Sequence, residues 1–400
     1  MLALSFLEGV GNRTLIKLIQ VFGSAAQVLA ANRPALLQCG LKKDALLQLD
    51  GFLRSPQDSP LGLKVRQARE QANQAEAEIF TLDMPTYPRL LAEIPDPPAI
   101  LYVKGNADLL HLPQISIVGS RNASLGANQN AFNLAKAISD AGFVVTSGFA
   151  QGIDQSAHEG ALAANLGKGN TIAVLGTGVD RCYPVRNSPL MNKIAEQGVI
   201  VSELPMGTGP QRHHFPSRNR IISGLACGVL VIEAGLKSGS LITARMAMEQ
   251  GREVFAIPGS IHHPLAKGCH QLIKQGAKLT ENIDDILQEL DSALQFHYAV
   301  FNQQSTQSLV SKDAAEMSHK TLKPNPSKDT TVSLPASVQK DLFSVSQDLP
   351  LLALIGSDVV SVDGLVEATG CSPAVVMTQL FELEMQGLVE SVSGGYRRSA

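Results

Sequence analysis

The segment running His213-His214-Phe215-Pro216-Ser217-Arg218-Asn219-Arg220-Ile221-Ile222-Ser223-Gly224 contains the residues best suited to chemistry, and no Asp or Glu occurs between Met206 and Ile222. Arg212, Arg218 and Arg220 make the stretch basic, and Phe215 offers a ring face on which a base can stack. A helix is expected to open just after Pro216. Ser217 is its expected N-cap, so free backbone N–H groups and guanidinium groups would share one end. That end suits an anion. For an isolated match, a solvated basic loop is the plainer alternative.

Similar polar turns recur along the chain. Gly119-Ser120-Arg121, Ser147-Gly148-Phe149-Ala150-Gln151-Gly152-Ile153-Asp154, Gly176-Thr177-Gly178, Lys237-Ser238-Gly239-Ser240 and Pro258-Gly259 each follow a short apolar run. Glycines let backbone N–H groups approach a phosphate, with Arg121 and Lys237 as countercharge. Neither G-x-G-x-x-G followed by an acidic strand end nor G-x-x-x-x-G-K-[ST] occurs, which disfavours a dinucleotide and a P-loop nucleotide. Phosphate remains the expected ligand chemistry, delivered by a nucleotide or by a polynucleotide backbone. Phe215, Phe149 and Tyr183 are the rings that could stack bases, Phe149 being the one most suited to the core. Asp154 and His158 lie four apart, as an acid and its orienter would, but Asp154 capping a helix with His158 packed beside it explains them better. His262-His263 lacks nearby ligand partners, so no metal, cofactor or catalytic residue is expected.

These turns need a scaffold that gathers them. Ile115–Gly119, Phe143–Ser147, Thr171–Leu175, Val199–Glu203, Val229–Glu233 and Val254–Ile257 read as strands. Helices are expected at Gln129–Ala141, Asp154–Asn165, Arg218–Ala226 and Leu241–Gln250. Near-continuous apolar strands spaced by helices imply an α/β fold with a Rossmann-like parallel sheet core, ligands binding beyond the carboxyl ends of its strands. This domain is expected over residues 81–290, behind a Pro-rich lead-in. Residues 1–80 read as a small helical domain in which Gly9-Val10-Gly11 resembles a helix-hairpin-helix turn. Residues 291–348 read as a flexible linker, and 349–400 as a C-terminal winged-helix domain with a hairpin about Gly394-Gly395. The 400 residues carry a net charge of −3, so any polyanion site must be a local patch. Five scattered cysteines without a C-x-x-C pair fit neither a disulfide framework nor a zinc site. No signal peptide or membrane span is visible, and a cytoplasmic protein is expected.

Taken in order, Gly119-Ser120-Arg121, the Ser147–Asp154 loop, Phe215–Gly224, Ser238-Gly239-Ser240-Leu241-Ile242-Thr243-Ala244, Phe255-Ala256-Ile257-Pro258-Gly259 and Leu272-Ile273-x-x-Gly276-Ala277 resemble the DNA-processing protein A (DprA/Smf) family. The resemblance implies a homodimeric protein without enzymatic turnover. Such a protein binds single-stranded DNA, protects it and loads RecA recombinase during natural transformation and recombination. It also implies a DNA pocket formed by Gly119, Ser120, Arg121, Ser147, Gly148, Arg186, Arg212, Phe215, Arg218, Asn219, Arg220, Lys237 and Gly239. Val185 stands where relatives often place a basic residue after Tyr-Pro, and Gly268-Cys269-His270 departs from the commoner Gly-x-Asn. Arg121→Ala or Arg218→Ala is expected to weaken strand binding on an intact fold. The rival is an enzyme, a nucleotide phosphoribohydrolase on a related Rossmann domain. Its Gly-Gly-x-Gly-Thr-x-x-Glu loop ends in a Glu, and no Glu follows Ser238–Ala244 here. Between 345 and 400, seven acids oppose two arginines, so the terminal domain is expected to meet protein rather than duplex DNA.

Overall fold

The computed structural model describes residues 1–165, 171–290 and, near the C-terminus, 355, 360, 364–365, 380, 389–392 and 395–398. They fall into two compact units, one up to Leu290 and one from Ile355. The expected linker 291–348 lies outside the described residues.

The first unit begins with six helices: α1 (Leu2–Ser5), α2 (Asn12–Phe22), α3 (Ala25–Ala30), α4 (Arg33–Gln38), α5 (Lys43–Arg54) and α6 (Pro60–Gln74). Leu4, Leu18, Val28, Leu36 and Leu49 are fully buried between them. Ser24, Asn32 and Ser59 cap three of these helices by accepting from backbone N–H groups in the first turn. Asn12 opens α2 at the expected glycine turn. Its amide nitrogen donates to Asp96 Oδ1 (2.8 Å) and Pro97 O (2.9 Å), while its oxygen accepts from the Ala99 N–H (2.8 Å).

Next come β1 (Ala77–Thr81), α7 (Arg89–Ala92), β2 (Ile100–Gly105), β3 (Gln114–Gly119), α8 (Leu125–Asp140), β4 (Val144–Ser147), α9 (Ile153–Leu162) and β5 (Thr171–Val174). The unit continues through α10 (Ser188–Gln197), β6 (Val199–Ser202), α11 (His214–Leu225), β7 (Gly228–Ile232), α12 (Gly239–Glu249), β8 (Glu253–Ala256), α13 (Lys267–Lys274) and β9 (Lys278–Leu279). The strands form one sheet in the order β1-β2-β6-β5-β4-β3-β7-β8-β9. Pairing is parallel from β6 through to β9, and every residue of β4, β5, β6 and β7 is buried, as strands covered on both faces must be. One face packs against α11 and α12 around Ile221, Leu225 and Val231; the other packs against α8 and α9 around Ala131, Ile138 and Ala157.

All six expected strands are present. Three strands are not among those expected: β9, a two-residue edge strand on β8, and β1 and β2, which pair antiparallel with each other and extend the sheet beyond β6. The turn between α6 and β1 is made by Glu76 at φ 54°, a left-handed position where glycine is the usual marker, so no punctuation announced the change from helix to strand. Pro97 and Pro98, read as a lead-in, stand directly ahead of β2.

In the second unit, β10 (Val389–Val392) pairs antiparallel with β11 (Gly395–Arg398), which is the expected hairpin. Val360 bridges Tyr396, and Ile355, Leu365, Leu380 and Val389 are buried. The rest of the expected winged-helix domain lies largely outside the described residues.

Candidate functional site

From β3 the chain steps through β4 and β5 to β6, then returns to lay β7 on the other side of β3. Loops leaving β3 and β7 therefore diverge and open a crevice at the carboxyl ends of the strands. A cleft of about 800 Å³ occupies it. Its floor is backbone at Gly119, where a Cβ would collide with the carbonyl oxygen of Ile232. Arg121 from the β3 loop, Arg212 ahead of α11 and Lys237 after β7 are exposed and line it. Ser238 caps α12 and accepts from Ser240 N–H, so that helix presents its N-terminus to the same space.

An aromatic wall stands opposite. The Phe215 ring lies against Gly176, where a Cβ would come within 2.9 Å of it. Tyr183, 48% exposed, packs beside it with ring centroids 5.5 Å apart. The Arg121 guanidinium sits 5.9 Å from the Phe215 centroid, close enough for a cation–π attraction. Phe149 is only 1% exposed and belongs to the core, as its position after a strand implied.

Beneath the cleft the chemistry is structural. Arg218 is 5% exposed, and its Nη1 donates to the carbonyl oxygens of Gly148 and Val174. Asp154 lies across Gly148 from that guanidinium and accepts from the Ala150 N–H at 3.2 Å. Burial raises the Asp154 carboxyl above its ordinary range against the pull of Arg218, and burial lowers the Arg218 guanidinium to about 10. Ser147 is buried, its hydroxyl donating to Ile117 O at 2.6 Å.

The expected residues therefore divide. Gly119, Ser120, Arg121, Arg212, Phe215, Asn219, Lys237 and Gly239 share the cleft, and Arg218 reaches it only from below. Ser147 and Gly148 build the support. Arg220 turns away: its guanidinium holds Glu203 through Nη1 (2.8 Å) and Nη2 (2.6 Å), with Asp96 at 3.3 Å. Arg186 is exposed but does not line the cleft. Ser217 is not the N-cap. Helix α11 begins at His214, because His213 takes the capping position and Pro216 fits within the first turn; the Ser217 hydroxyl donates back to His213 O at 3.0 Å. Tyr183, Ser240 and Thr243 were absent from the expected pocket although their motifs were quoted for it. Ser240 and Thr243 come in on α12, packed against α11, whereas Tyr183 comes in from the loop after β5 through its ring contact with Phe215.

His158 is no acid–base partner for Asp154. Its Nδ1 lies 2.8 Å from Thr171 Oγ1, and that hydroxyl spends its only proton on Val145 O (2.8 Å). Nδ1 must then carry the hydrogen, leaving Nε2 as a buried lone pair with no partner among the described residues. Burial, with Arg218 adding to it, holds the imidazole pKa down to about 3. A depressed folded-state pKa gives stability that is complete above 6.5 and is lost as pH falls toward 3. At 1.36 kcal/mol per unit the full effect is on the order of 5 kcal/mol, partly offset by Asp154, whose raised pKa acts in the opposite sense. Urea midpoints across this range are expected to fall less steeply in His158→Gln than in the parent chain.

A model of the DNA recombination-mediator protein A family matches residues 78–291, and one of the DprA winged helix domain matches 343–395. Protein Smf of Escherichia coli (strain K12) is 38% identical over 370 residues, 91% of this chain and 86% of that protein. DNA processing protein DprA of Streptococcus pneumoniae (strain ATCC BAA-255 / R6) is 48% identical over 207 residues, 51% of this chain and 71% of that one. The X-ray structure of DNA processing protein A from Streptococcus pneumoniae superposes with a TM-score of 0.59 at 36% identity, covering 71% of this chain and 94% of its own. No described helix is long and apolar enough to cross a membrane.

Proposed function

The chain belongs to the DprA/Smf family of DNA-processing proteins, and from that premise we propose that the β3/β7 cleft binds single-stranded DNA without transforming it. The observation that carries this reading is the Phe215 ring, set 5.9 Å from the Arg121 guanidinium inside a cleft also lined by Arg212 and Lys237. Cations take phosphates whatever the sequence, and a ring face takes a base only when that base is unstacked from a partner strand. Among the described residues the one carboxylate lining the cleft, Asp154, is 7% exposed and committed to holding its loop. That arrangement supports binding over turnover. We further read RecA recombinase and a second copy of this chain as partners, a reading supported by family membership alone.

Affinity for single-stranded and duplex DNA across a salt series tests the reading. The single strand is expected to bind more tightly, with log K falling by about 0.7 per phosphate neutralised for each unit of log salt. Equal or tighter binding of duplex overturns it. Phe215→Ala is expected to weaken single-strand binding by about 1–3 kcal/mol at every salt concentration, leaving the salt slope as it was, with Phe215→Trp restoring most of the loss.

A further inference from the structure

Across the turn Glu233–Gly235 from the DNA cleft lies a second cavity of about 610 Å³. Gly126 and Asn130 of α8 form one wall, Ile257 and Pro258 the other, with His263 at the edge. Glu233 stands between the walls at φ 50°, a left-handed conformation that a residue with a side chain rarely adopts. Its carboxylate accepts from the Ser124 N–H (2.9 Å), the Ser124 hydroxyl (2.6 Å) and His263 Nε2 (3.0 Å). Three donors leave one of its roughly four acceptor positions open.

Among the described residues no Lys or Arg lines this cavity, in contrast to its neighbour. A phosphate placed there would meet the Glu233 carboxylate, with no Lys or Arg but only His262 and His263 beside it among the described lining residues. A flat neutral ring with an N–H fits instead, its faces against Ile257 and Pro258 and its edge toward the open oxygen position of Glu233. Leu125 and Ile261, the chain neighbours of the lining residues Gly126 and Ser260, are 90% and 67% exposed. One loop serves both cavities, Ser120 and Arg121 facing the first and Ser124 the second. We propose that this second cavity takes a nucleobase of the same strand whose phosphates lie on Arg121 and Lys237, an inference that rests on the single-strand reading above.

Gly126 provides the test. A Cβ there meets nothing within 4 Å, so Gly126→Phe fills the cavity without disturbing α8. In the full chain, oligo-dT affinity is expected to fall about tenfold in Gly126→Phe while the salt slope keeps its parent value, since a base contact releases no counterions. A 4-thiothymidine in the strand is expected to cross-link to the segment around Ile257–His263, and excess free thymidine is expected not to suppress it. Asn130→Trp, one helical turn on, gives the same reading should the first variant fold poorly, as its melting curve would show. Parent-like affinity in a folded variant, a changed slope, or no cross-link to this segment overturns the proposal, as does binding of the free nucleoside that Gly126→Phe abolishes with DNA affinity intact. If the parent chain itself does not bind oligo-dT, the single-strand reading fails first, and the two failures are thereby told apart.

Discussion

Arg218→Ala is expected to destabilise the first unit by roughly 3–5 kcal/mol, the range found when one member of a buried charged arrangement is removed. The side chain is 5% exposed and ties the carbonyls of Gly148 and Val174 together. Without it those oxygens are buried and unpaired, and Asp154 is left without its compensating cation. Removing the neighbouring carboxylate as well, in Asp154→Asn with Arg218→Met, is expected to recover part of the loss, because no unpaired charge then remains inside. Chemical unfolding of the three chains measures this. A parent-like midpoint for Arg218→Ala would show that the guanidinium holds nothing in place. This departs from the sequence expectation of weaker DNA binding on an intact fold: the arginine lies beneath the cleft, and its loss is expected to act on the fold first.

The largest expected effect on binding comes from Arg121→Ala with Lys237→Ala. Both side chains are exposed, so their removal leaves no buried group unpaired and the melting temperature is expected to hold. A hydrogen bond to a charged group contributes about 1.5–3 kcal/mol, so two such losses imply roughly a hundredfold weaker single-strand affinity or more. The salt slope is expected to drop by about 1.4, two phosphate contacts at ~0.7 each. An unchanged slope would mean that these two side chains do not meet phosphates.

Strands β3 to β8 were legible because each is a short apolar run ending in glycine or a polar turn, a pattern that only a doubly covered parallel sheet requires. The rim residues followed from the same pattern, since the carboxyl ends of such strands face one side. What sequence could not resolve was depth. Arg121, Arg218 and Arg220 are the same residue type within motifs of similar appearance. One is exposed at the cleft, one is sealed under it, and one is spent on Glu203 and Asp96. Partners lying 17 and 124 residues away decide the role of Arg220, and no local spacing encodes them. Ser217 failed for a different reason: a capping residue, a proline and a following helix make a sound local signal, but the helix had already begun a turn earlier at His214.

The three hydrogen bonds of Asn12 join α2 to the segment Asp96–Ala99 that leads into β2, and Ala99 is itself buried with the helical core. Leu2 shares a cluster with Ile100 and Tyr102 of β2. These contacts tie the helical piece to the outer antiparallel strands. Fraying of the sheet's far edge is expected to be coupled to loss of the helices, the two opening as one cooperative element. That coupling makes the helical piece a thermodynamic clamp on the outer strands of the sheet, whatever else its glycine turn contacts.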